Sequence, residues 1–334
     1  MLRLTNLSVP LDYTENSLRL QIIQKLKIPP DHLIAFQVIR RSIDARNKTD
    51  VHFVLSVDLN LKNEQATLRH NKNLSPVPPK KAMHFPTVRF DRPPLVVGAG
   101  PAGLFAALTL ARAGAKPVLV ERGKPVDKRT QSVITLQKKG ELDPDSNVQF
   151  GEGGAGAFSD GKLTCGIKSP HVRTILETFT AHGAPEEILI DQKPHIGTDR
   201  LKGVVASIRE EIRALGGTVL FETRLEELII RGEHVEGAVL SHQGERREFL
   251  TDIILLCIGH SARDTVQKLF SQGLRLEQKP FAMGMRIEHP RQMIDCSQYG
   301  SFAGHPALGA ASYKLICHTP DGRGGYTFCM CPGG

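Results

Sequence analysis

The sequence predicts an α/β protein with a mainly parallel sheet, an inserted antiparallel meander and a small α+β domain in front. Three observations support this prediction. An apolar run, a glycine-rich turn and a helical pattern follow one another within 95–123, as in the strand–turn–helix unit of a parallel sheet. Three alternating segments joined by short turns lie at about 226–250, and a strand–helix–strand–strand pattern lies at 1–61. Such a mixture is typical of an α/β domain accompanied by a smaller α+β domain.

The composition is that of an ordinary globular protein. The chain has 334 residues, of which 40% are hydrophobic and 23% are charged, enough for two domains that each bury a core. No apolar run reaches the ~20 residues that a helix needs to span a bilayer, and the first residues lack the pattern of a signal peptide. We therefore expect a cytoplasmic protein that has no membrane segment.

The cysteines predict neither a disulfide framework nor a metal site. There are six in the chain, and most lie too far apart in sequence for a framework, so we expect them to be reduced. Cys329 and Cys331 form one close pair and Cys317 lies beside His318. No second close pair completes a four-ligand zinc pattern, so no bound metal is predicted.

The first 61 residues are predicted to form the small α+β domain. A strand at 2–7 precedes a helix at 17–26, and strands at 33–39 and 51–59 are expected to pair as a hairpin. The loop of this hairpin, 40–48, is basic and polar. A phosphate or nucleic-acid contact is one interpretation of the loop, and a solvated hairpin tip is the favoured one.

The positive charge of the chain is concentrated at its N-terminal end. Of the formal net charge of +8, residues 1–94 carry +7, from 15 Lys or Arg and 8 Asp or Glu. Aromatic side chains for base stacking are sparse there, because Phe36 and Phe53 both fit a core. From 62 to 94 the apolar periodicity fades and six prolines gather, which predicts a linker or an extended arm.

Residues 95–123 read LVVGAGPAGLFAALTLARAGAKPVLVERG and predict a β-turn-α-β unit that binds a dinucleotide. Gly98, Gly100 and Gly103 have the G-x-G-x-x-G spacing. The first glycine permits the tight turn, the second lets the backbone approach a pyrophosphate, and the third lets the helix pack closely on the sheet. The exposed N–H groups and the positive dipole end of the helix then face the phosphates.

Glu121 ends the second strand of this unit, 117–120, about twenty residues beyond the glycines. A carboxylate at this place can accept both hydroxyls of an adenosine ribose, and it repels a 2′-phosphate. The site is therefore expected to prefer FAD or NAD over NADP.

A second informative stretch, 147–164, reads NVQFGEGGAGAFSDGKLT. Gly151, Gly153 and Gly156 repeat the G-x-G-x-x-G spacing, but no apolar strand precedes them, so a second unit of the same kind is not predicted. Five glycines within 151–161 give a backbone that can approach a flat ligand and offer several N–H donors, as in loops that lie on a flavin or its pyrophosphate. A flexible surface loop is the alternative interpretation.

The rest of the sheet is predicted further along the chain. An amphipathic helix at 201–215 precedes the third parallel strand, 218–222, after which Arg224 and Leu225 can pass beneath an adenine. The meander follows. The chain then returns in a buried strand at 253–258 that ends at Gly259-His260-Ser261. Flavoproteins of the glutathione-reductase type return to their cofactor through such a strand after a three-stranded meander, and this resemblance favours FAD over NAD.

The sequence resembles the poorly characterised FAD-dependent dehydrogenases of bacteria and plastids, a branch of the glutathione-reductase-like flavoproteins with two dinucleotide folds. The resemblance rests on five motifs and covers effectively the whole chain. These motifs are VVGAGPAGLFAAL with ERG, NVQFGEGGAGAFSDGKL, KPFAMGMRIEHP, QYG and FCMCPGG. It implies non-covalent FAD, an oxidoreductase activity and an unsettled substrate, with NAD(P)H as one candidate electron donor.

In one respect the chain departs from this resemblance. Such families continue into a segment that carries a Gly-Asp pair at a helix N-terminus beside the flavin, and this chain has no Gly-Asp pair. The chain stops just after a strand-like stretch at 326–330. We therefore expect it to be a fragment that lacks its C-terminal third.

These features together predict four regions and one cofactor site. The regions are a small basic α+β domain at 1–61, a proline-rich linker at 62–94, a Rossmann-like FAD-binding domain at 95–278 and the start of a substrate or cap domain at 279–334. The residues expected to bind the cofactor are Gly98, Ala99, Gly100, Pro101, Ala102, Gly103, Glu121, Arg122, Arg129, Gly151, Gly153, Gly154, Ala155, Gly156, Ser159, Asp160, Lys162, Leu225, Ile258, Gly259 and His260.

The leading functional hypothesis is an FAD-dependent oxidoreductase in which the flavin accepts or delivers hydride. His195, His260 and His289 are candidate acid–base groups, although a structural role is favoured for each. An alternative is a flavin-dependent RNA-modifying or RNA-associated protein, which the basic N-terminal domain suggests. A third hypothesis is a dehydrogenase that uses NAD alone.

Overall fold

The computed structural model describes residues 1–79, 85–158, 163, 167, 169–194, 196–327 and 330. The chain divides into two compact units, each made of discontinuous segments. The N-terminal unit contains Met1–Lys81, Glu186–Pro194 and Ala282–Gly334. The central unit contains Ala82–Pro185 and His195–Phe281.

The N-terminal unit is built around a four-stranded antiparallel sheet. Its first elements are β1 (Leu2–Val9), α1 (Glu15–Leu26), β2 (Leu33–Asp44), β3 (His52–Leu61), α2 (Glu64–His70) and β4 (Leu74–Pro76). The strand order is β2-β3-β1-β4, and all neighbours pair antiparallel. A βαββαβ chain in this order has the split βαβ, or ferredoxin-like, topology.

Helix α1 shows why this region folds as it does. It begins at a capping box in which Ser17 N donates to Thr14 Oγ1 at 3.2 Å and Thr14 N donates to Ser17 Oγ at 2.8 Å. Leu18, Ile22 and Leu26 recur every four residues and are buried in the core that the sheet forms. The helix therefore covers one face of the sheet with its apolar side.

The other face of this sheet is polar. In β1 and β3 buried apolar residues alternate with polar ones, and Arg3 and Asp58 meet across the two strands at 2.7 Å. Phe36 and Phe53 belong to the apolar core, as the sequence predicted. The described strands of this sheet therefore present no Phe, Tyr or Trp on the polar face.

Two predictions for this region are wrong in part. The expected linker contains α2 and β4, and β4 pairs with β1 through Leu4↔Leu74. The expected basic loop is partly strand, because β2 continues to Asp44, which pairs with His52. Both errors involve edge strands, where polar residues and prolines are tolerated and apolar alternation is weak.

The central unit contains the parallel sheet and the meander. Its elements are β5 (Leu95–Val97), α3 (Pro101–Arg112), β6 (Val118–Val120), α4 (Val126–Lys139), α5 (Pro170–Ala181), α6 (Thr198–Ala214), β7 (Thr218–Leu220), β8 (Thr223–Arg231), β9 (His234–His242), β10 (Glu245–Leu250), β11 (Ile254–Leu256) and α7 (Arg263–Ser271). The parallel sheet has the order β11-β5-β6-β7, and the meander has the order β10-β9-β8. The predicted α/β fold with an inserted meander is confirmed.

The parallel order decides where the predicted site lies. Strands β5, β6 and β11 run in the same direction, with Leu95 opposite both Val118 and Ile254. Their carboxyl ends therefore share one edge of the sheet, the edge at which open α/β sheets bind ligands. The residues that follow these strands are Gly98, Glu121 and Cys257.

The later segments of the N-terminal unit complete its core. Arg41 of β2 forms a two-pronged ion pair with Asp191, at 2.8 and 3.1 Å. Helix α8 (Arg291–Tyr299) is followed by a hairpin of β12 (Ile316–His318) and β13 (Gly324–Tyr326). Tyr299, Leu308 and Ala311 are buried in the same core as the sheet. The compact units are defined by contacts, whereas the four predicted regions, 1–61, 62–94, 95–278 and 279–334, are proposed domains. The boundaries of these domains stay predictions.

No described helix is both long enough and apolar enough to cross a bilayer.

Candidate cofactor-binding site

The glycine turn, 98–103, joins β5 to α3 at the carboxyl edge of the parallel sheet. Gly98 has a φ of +100°, which favours glycine. A Cβ atom on Gly98 would lie 2.5 Å from the carbonyl oxygen of Cys257, and one on Gly103 would lie 1.7 Å from the carbonyl oxygen of Gly98. Neither position has room for a side chain, so the strand, the turn and the helix pack backbone against backbone.

Gly100, the middle glycine of the turn, faces open space instead. Apart from its chain neighbours and its own helix, no described residue has an atom within 4 Å of a Cβ atom placed there. Gly100 is the N-cap residue of α3, no side chain caps this helix end, and Pro101 and Ala102 are exposed. Free N–H groups and the positive end of a helix dipole bind phosphate. The turn therefore fits the pyrophosphate of a dinucleotide.

The carboxylate of Glu121 is buried and accepts three backbone hydrogen bonds. Oε2 accepts from Ala99 N at 2.7 Å, and Oε1 accepts from Gly123 N at 2.9 Å and from Gly151 N at 3.0 Å. Glu121 thus ties together the glycine turn, the end of β6 and the second glycine-rich stretch. An ionised carboxylate has about four acceptor positions, and three of them are used by these backbone N–H groups. The predicted hydrogen bonds from ribose hydroxyls would have to share this carboxylate with them, and they stay a prediction.

Arg129, on α4, is fully buried beneath the glycine loop, which we define as residues 147–154. Its guanidinium group donates to backbone carbonyl oxygens of this loop at 2.7–3.3 Å, those of Asn147, Val148, Gly151, Glu152 and Gly154. Burial lowers the pKa of Arg129 to about 10. Arg129 is predicted to contact the cofactor, but the structure directs its donors to the loop.

The N–H groups of the glycine loop are largely used within the protein, contrary to the expectation that they face a ligand. Seven of them have protein acceptors at 2.8–3.3 Å, and these belong to Asn147, Gln149, Phe150, Gly151, Glu152, Gly153 and Gly154. The acceptor of the Gly153 N–H group is the carbonyl oxygen of Ala99, in the glycine turn. The loop is therefore anchored to the turn through its own donors.

The glycine loop also lies close to the open part of the turn. A Cβ atom on Gly154 would be 3.4 Å from Cα of Gly100 and 3.2 Å from Cδ of Pro101. Ala155 and Gly156 follow in a short 3-10 helix, Ala155–Phe158, in which Ala155 is exposed. The structure thus brings the two glycine-rich stretches together, and a cofactor contact of Ala155 or Gly156 stays a prediction.

Glu152 anchors the other side of the loop. It is fully buried, and its Oε2 accepts from Val126 N at 2.7 Å and from Arg209 Nη1, on α6, at 2.6 Å. Its Oε1 has no hydrogen-bond partner among the described residues. Burial raises the pKa of this carboxyl group, and the ion pair with Arg209 opposes the rise.

Arg122 lies in a charged cluster at the same edge of the sheet. It pairs with Asp145 at 2.6 Å and with Asp264 at 3.0 Å, and its guanidinium group lies 4.4 Å from the centre of the Phe150 ring. Burial lowers the pKa of Arg122, but hydrogen bonds to the two carboxylates raise it above its usual value. Because these carboxylates already hold the side chain, its predicted cofactor contact stays a prediction.

The remaining predicted residues lie around β8 and the end of β11. Leu225 is buried in the core of the central unit, and Ile258 packs against that core. Gly259 has a φ of +67° with open space where a Cβ atom would be, and His260 is exposed. The side chain of Leu225 therefore faces the core, which leaves its backbone for any contact with a cofactor.

Several candidates cannot be placed at the site. Ser159, Asp160, Lys162 and His195 lie outside the described residues. His289 belongs to the N-terminal unit, where its Nε2 lies 2.9 Å from the hydroxyl group of Tyr313. None of these residues gains a role from the described geometry.

Glu152 and Arg209 are the residues that the sequence analysis missed. Glu152 had a detectable signal, because it is the one acidic residue in the glycine-rich run FGEGGAG. Arg209 had none, since it is one of several charged residues in the amphipathic helix α6.

Comparison with protein families identifies the cofactor. Residues 91–142, which contain the glycine turn and Glu121, match the family described as FAD binding domain. Residues 280–334 match "FAD-dependent protein, C-terminal domain-like", and residues 1–60 match "Domain of unknown function (DUF8436)". The cofactor is therefore FAD, as predicted, and the family matches support a flavin-dependent enzyme. The likeness to glutathione reductase and the expected truncation stay predictions.

Individual proteins add less. An uncharacterized protein of Clostridium beijerinckii is 44% identical over 338 residues, which cover 100% of this chain and 63% of that protein. The chain thus spans less than two thirds of this relative. The crystal structure of Thermovibrio ammonificans THI4 is 18% identical over 55% of this chain and 62% of its own, with a TM-score of 0.37. The structure of BexE is 16% identical over 70% of this chain and 43% of its own, with a TM-score of 0.36. TM-scores below 0.5 carry no argument about function.

Proposed function

We propose that this protein is an FAD-dependent oxidoreductase of the dehydrogenase type, which acts on an unidentified small molecule with NAD(P)H as one candidate electron donor. One observation carries the proposal. The uncapped N-terminus of α3 and the open face of Gly100 form a phosphate cradle within the segment that matches the FAD binding domain family.

The residues of this chain bind and orient the cofactor. When bound, FAD supplies the centre that accepts or donates hydride. The backbone of the glycine turn would hold the pyrophosphate, and Glu121 fixes the turn relative to the glycine loop. Gly154 of the loop lies against Gly100 and Pro101 of the turn.

Nothing in the described structure favours the RNA-associated alternative. Single-stranded RNA is commonly bound by stacking its bases on exposed aromatic rings. In the four described strands of the sheet of the N-terminal unit, Phe36 and Phe53 belong to the core instead. These strands therefore offer no aromatic platform for base stacking.

The test of the proposal is the Gly100→Val substitution. We expect the wild-type chain to bind FAD and the variant to lose FAD, because the new side chain occupies the space of the pyrophosphate. FAD occupancy is measured from the flavin absorption of the purified protein and by titration of the apoprotein.

Gly203→Val is the matched control, because Gly203 is an exposed glycine of α6 that also has open space around its Cβ position. It should retain FAD. Equal FAD affinity of Gly100→Val and the control would show that the cradle does not bind the cofactor, and a wild-type chain that binds no FAD would contradict the proposed function.

A further inference from the structure

Arg129 is unusual because a fully buried cation is hydrogen-bonded only to backbone carbonyl oxygens. The described hydrogen bonds of its guanidinium group all end on the glycine loop. The carboxylates of Glu121 and Glu152 are near enough to raise its pKa, but neither forms an ion pair with it among the described contacts. Buried charges are normally paired directly with an opposite charge. The Arg129 guanidinium group is therefore placed to bind the backbone of the glycine loop and not to form a salt bridge.

The glycine loop needs such an external partner. Gly151, Gly153 and Gly154 have φ values of +114°, +83° and +61°, a range that glycine adopts readily and other residues do not. Glycine also loses more conformational freedom on ordering than any other residue. A loop of this composition is held in one conformation by its contacts, and five of these contacts come from Arg129.

The shape of the guanidinium group matters for this role. Arginine offers five N–H donors in one rigid plane, whereas lysine offers three donors at a single nitrogen atom. The carbonyl groups that accept from Arg129 extend from Asn147 to Gly154, and the Phe158 ring lies 4.6 Å from the guanidinium carbon. A lysine at this position has the same charge but does not span these acceptors.

The loop in turn lies against the phosphate cradle. Gly153 N donates to the carbonyl oxygen of Ala99, and the Cα side of Gly154 faces Gly100 and Pro101. The loop therefore forms one wall of the phosphate cradle. A change in the loop conformation would move this wall even if Gly100 and the N-terminus of α3 kept their positions.

We propose that Arg129 is a positioning residue for FAD: it holds the glycine loop as a wall of the phosphate cradle and sets the affinity for FAD without contacting the cofactor. This inference rests on the proposed function, since it requires that FAD binds at Gly100.

The test compares Arg129→Lys with the wild-type chain in two measurements. Hydrogen exchange of the apoprotein reports the order of the loop, and FAD titration reports affinity. We expect faster exchange at 147–154 in the variant and an FAD dissociation constant that is roughly tenfold higher, the change expected for a net loss of one to two buried hydrogen bonds.

Two control variants separate this role from a general loss of stability. Lys128→Met removes an exposed cation from the neighbouring position of α4 and should leave both measurements unchanged. Ile212→Val creates a small cavity at a fully buried position of α6 and should lower the melting temperature while leaving FAD affinity unchanged.

The outcomes are distinguishable. Unchanged loop exchange in Arg129→Lys overturns the inference, and so does faster loop exchange with unchanged FAD affinity. An equal loss of affinity in Ile212→Val would assign the effect to stability and also overturn it. Absence of FAD binding in the wild-type chain, with the loop still ordered by Arg129, would instead contradict the proposed function.

Discussion

The spacing G-x-G-x-x-G occurs twice in this chain, in the glycine turn at 98–103 and again at 151–156, and the two stretches use glycine differently. In the turn, a Cβ atom on Gly98 or Gly103 would collide with backbone carbonyl oxygens of the sheet and the turn itself. In the second stretch, a Cβ atom on Gly151 would collide with the Arg129 side chain, while one on Gly156 would meet nothing within 4 Å.

The two stretches thus show two reasons for glycine: lack of room for a Cβ atom in the turn, and positive φ values in the loop. Backbone atoms of a buried strand and helix cannot move aside without disturbing the sheet, whereas a side chain can shift at moderate cost. Gly98 and Gly103 of the turn are therefore glycine because nothing larger fits, whereas Gly100 has open space. The loop is built from glycine because its backbone takes positive φ values and is held from outside by Arg129.

The largest expected effect is that of Gly103→Ala. The added Cβ atom would lie 1.7 Å from the carbonyl oxygen of Gly98 and 3.3 Å from Cβ of Cys257, so α3 must move away from the sheet. We expect a loss of about 3 kcal/mol or more in the free energy of unfolding, measured by urea denaturation. Gly156→Ala is the control and should change stability by less than about 0.5 kcal/mol. Equal stability of the two variants would remove the steric distinction.

Gly151→Ala should have an intermediate effect. The φ of +114° makes any L-residue strained there, at about 1–2 kcal/mol, and the new Cβ atom would lie 2.4 Å from Cδ of Arg129. We expect a total loss of about 2 kcal/mol in the free energy of unfolding. Gly183→Ala is the control for strain alone, because Gly183 has a φ of +100° and open space around it. A loss no larger than that of the control would show that Arg129 does not constrain the loop at this point.

The smallest expected effect concerns the pH dependence that Glu152 contributes. Burial raises its pKa in the folded protein, so the native state binds the proton more tightly than the unfolded state. Stability from this group is therefore unaffected below the unfolded pKa of about 4.3 and falls as the pH rises from there through the raised native pKa.

In Glu152→Gln, the amide oxygen can still accept from Val126 N and Arg209, and the side chain does not ionise between pH 4 and pH 7. The difference in the free energy of unfolding between the wild-type chain and this variant should therefore shift in favour of the variant between pH 4 and pH 7. Urea denaturation at the two pH values measures it. A difference that does not change with pH would show that the burial of Glu152 has no energetic consequence.

The parts of the site that follow from local chemistry could be predicted from the sequence. The strand, the glycine spacing and the helix of the turn are encoded within 95–112, and their geometry leaves few alternatives. The return strand β11 was predictable as a strand, because an apolar run precedes Gly259. In these cases the local residue types are sufficient to predict the backbone conformation. The expectation of a buried strand at 253–258 is wrong, because β11 is a three-residue strand at the edge of the described sheet and is not buried.

The parts that depend on backbone acceptors could not be predicted. Arg129 binds carbonyl groups, which every residue has, so no residue type among its partners marks the contact. The same holds for Glu121, whose partners are the N–H groups of Ala99, Gly123 and Gly151. Sequence patterns located both side chains at the site and assigned them to the cofactor rather than to the loop.

The discontinuous N-terminal unit also has a consequence for synthesis on the ribosome. The strands of its sheet are complete once Pro76 has emerged, yet the same core buries Tyr299, Leu308 and Ala311. Roughly 220 residues separate these two parts of the core, and at about 5–20 residues per second their synthesis takes on the order of 10 to 45 s. During that interval the nascent sheet lacks Tyr299, Leu308 and Ala311, so the apolar surface that these residues cover stays exposed.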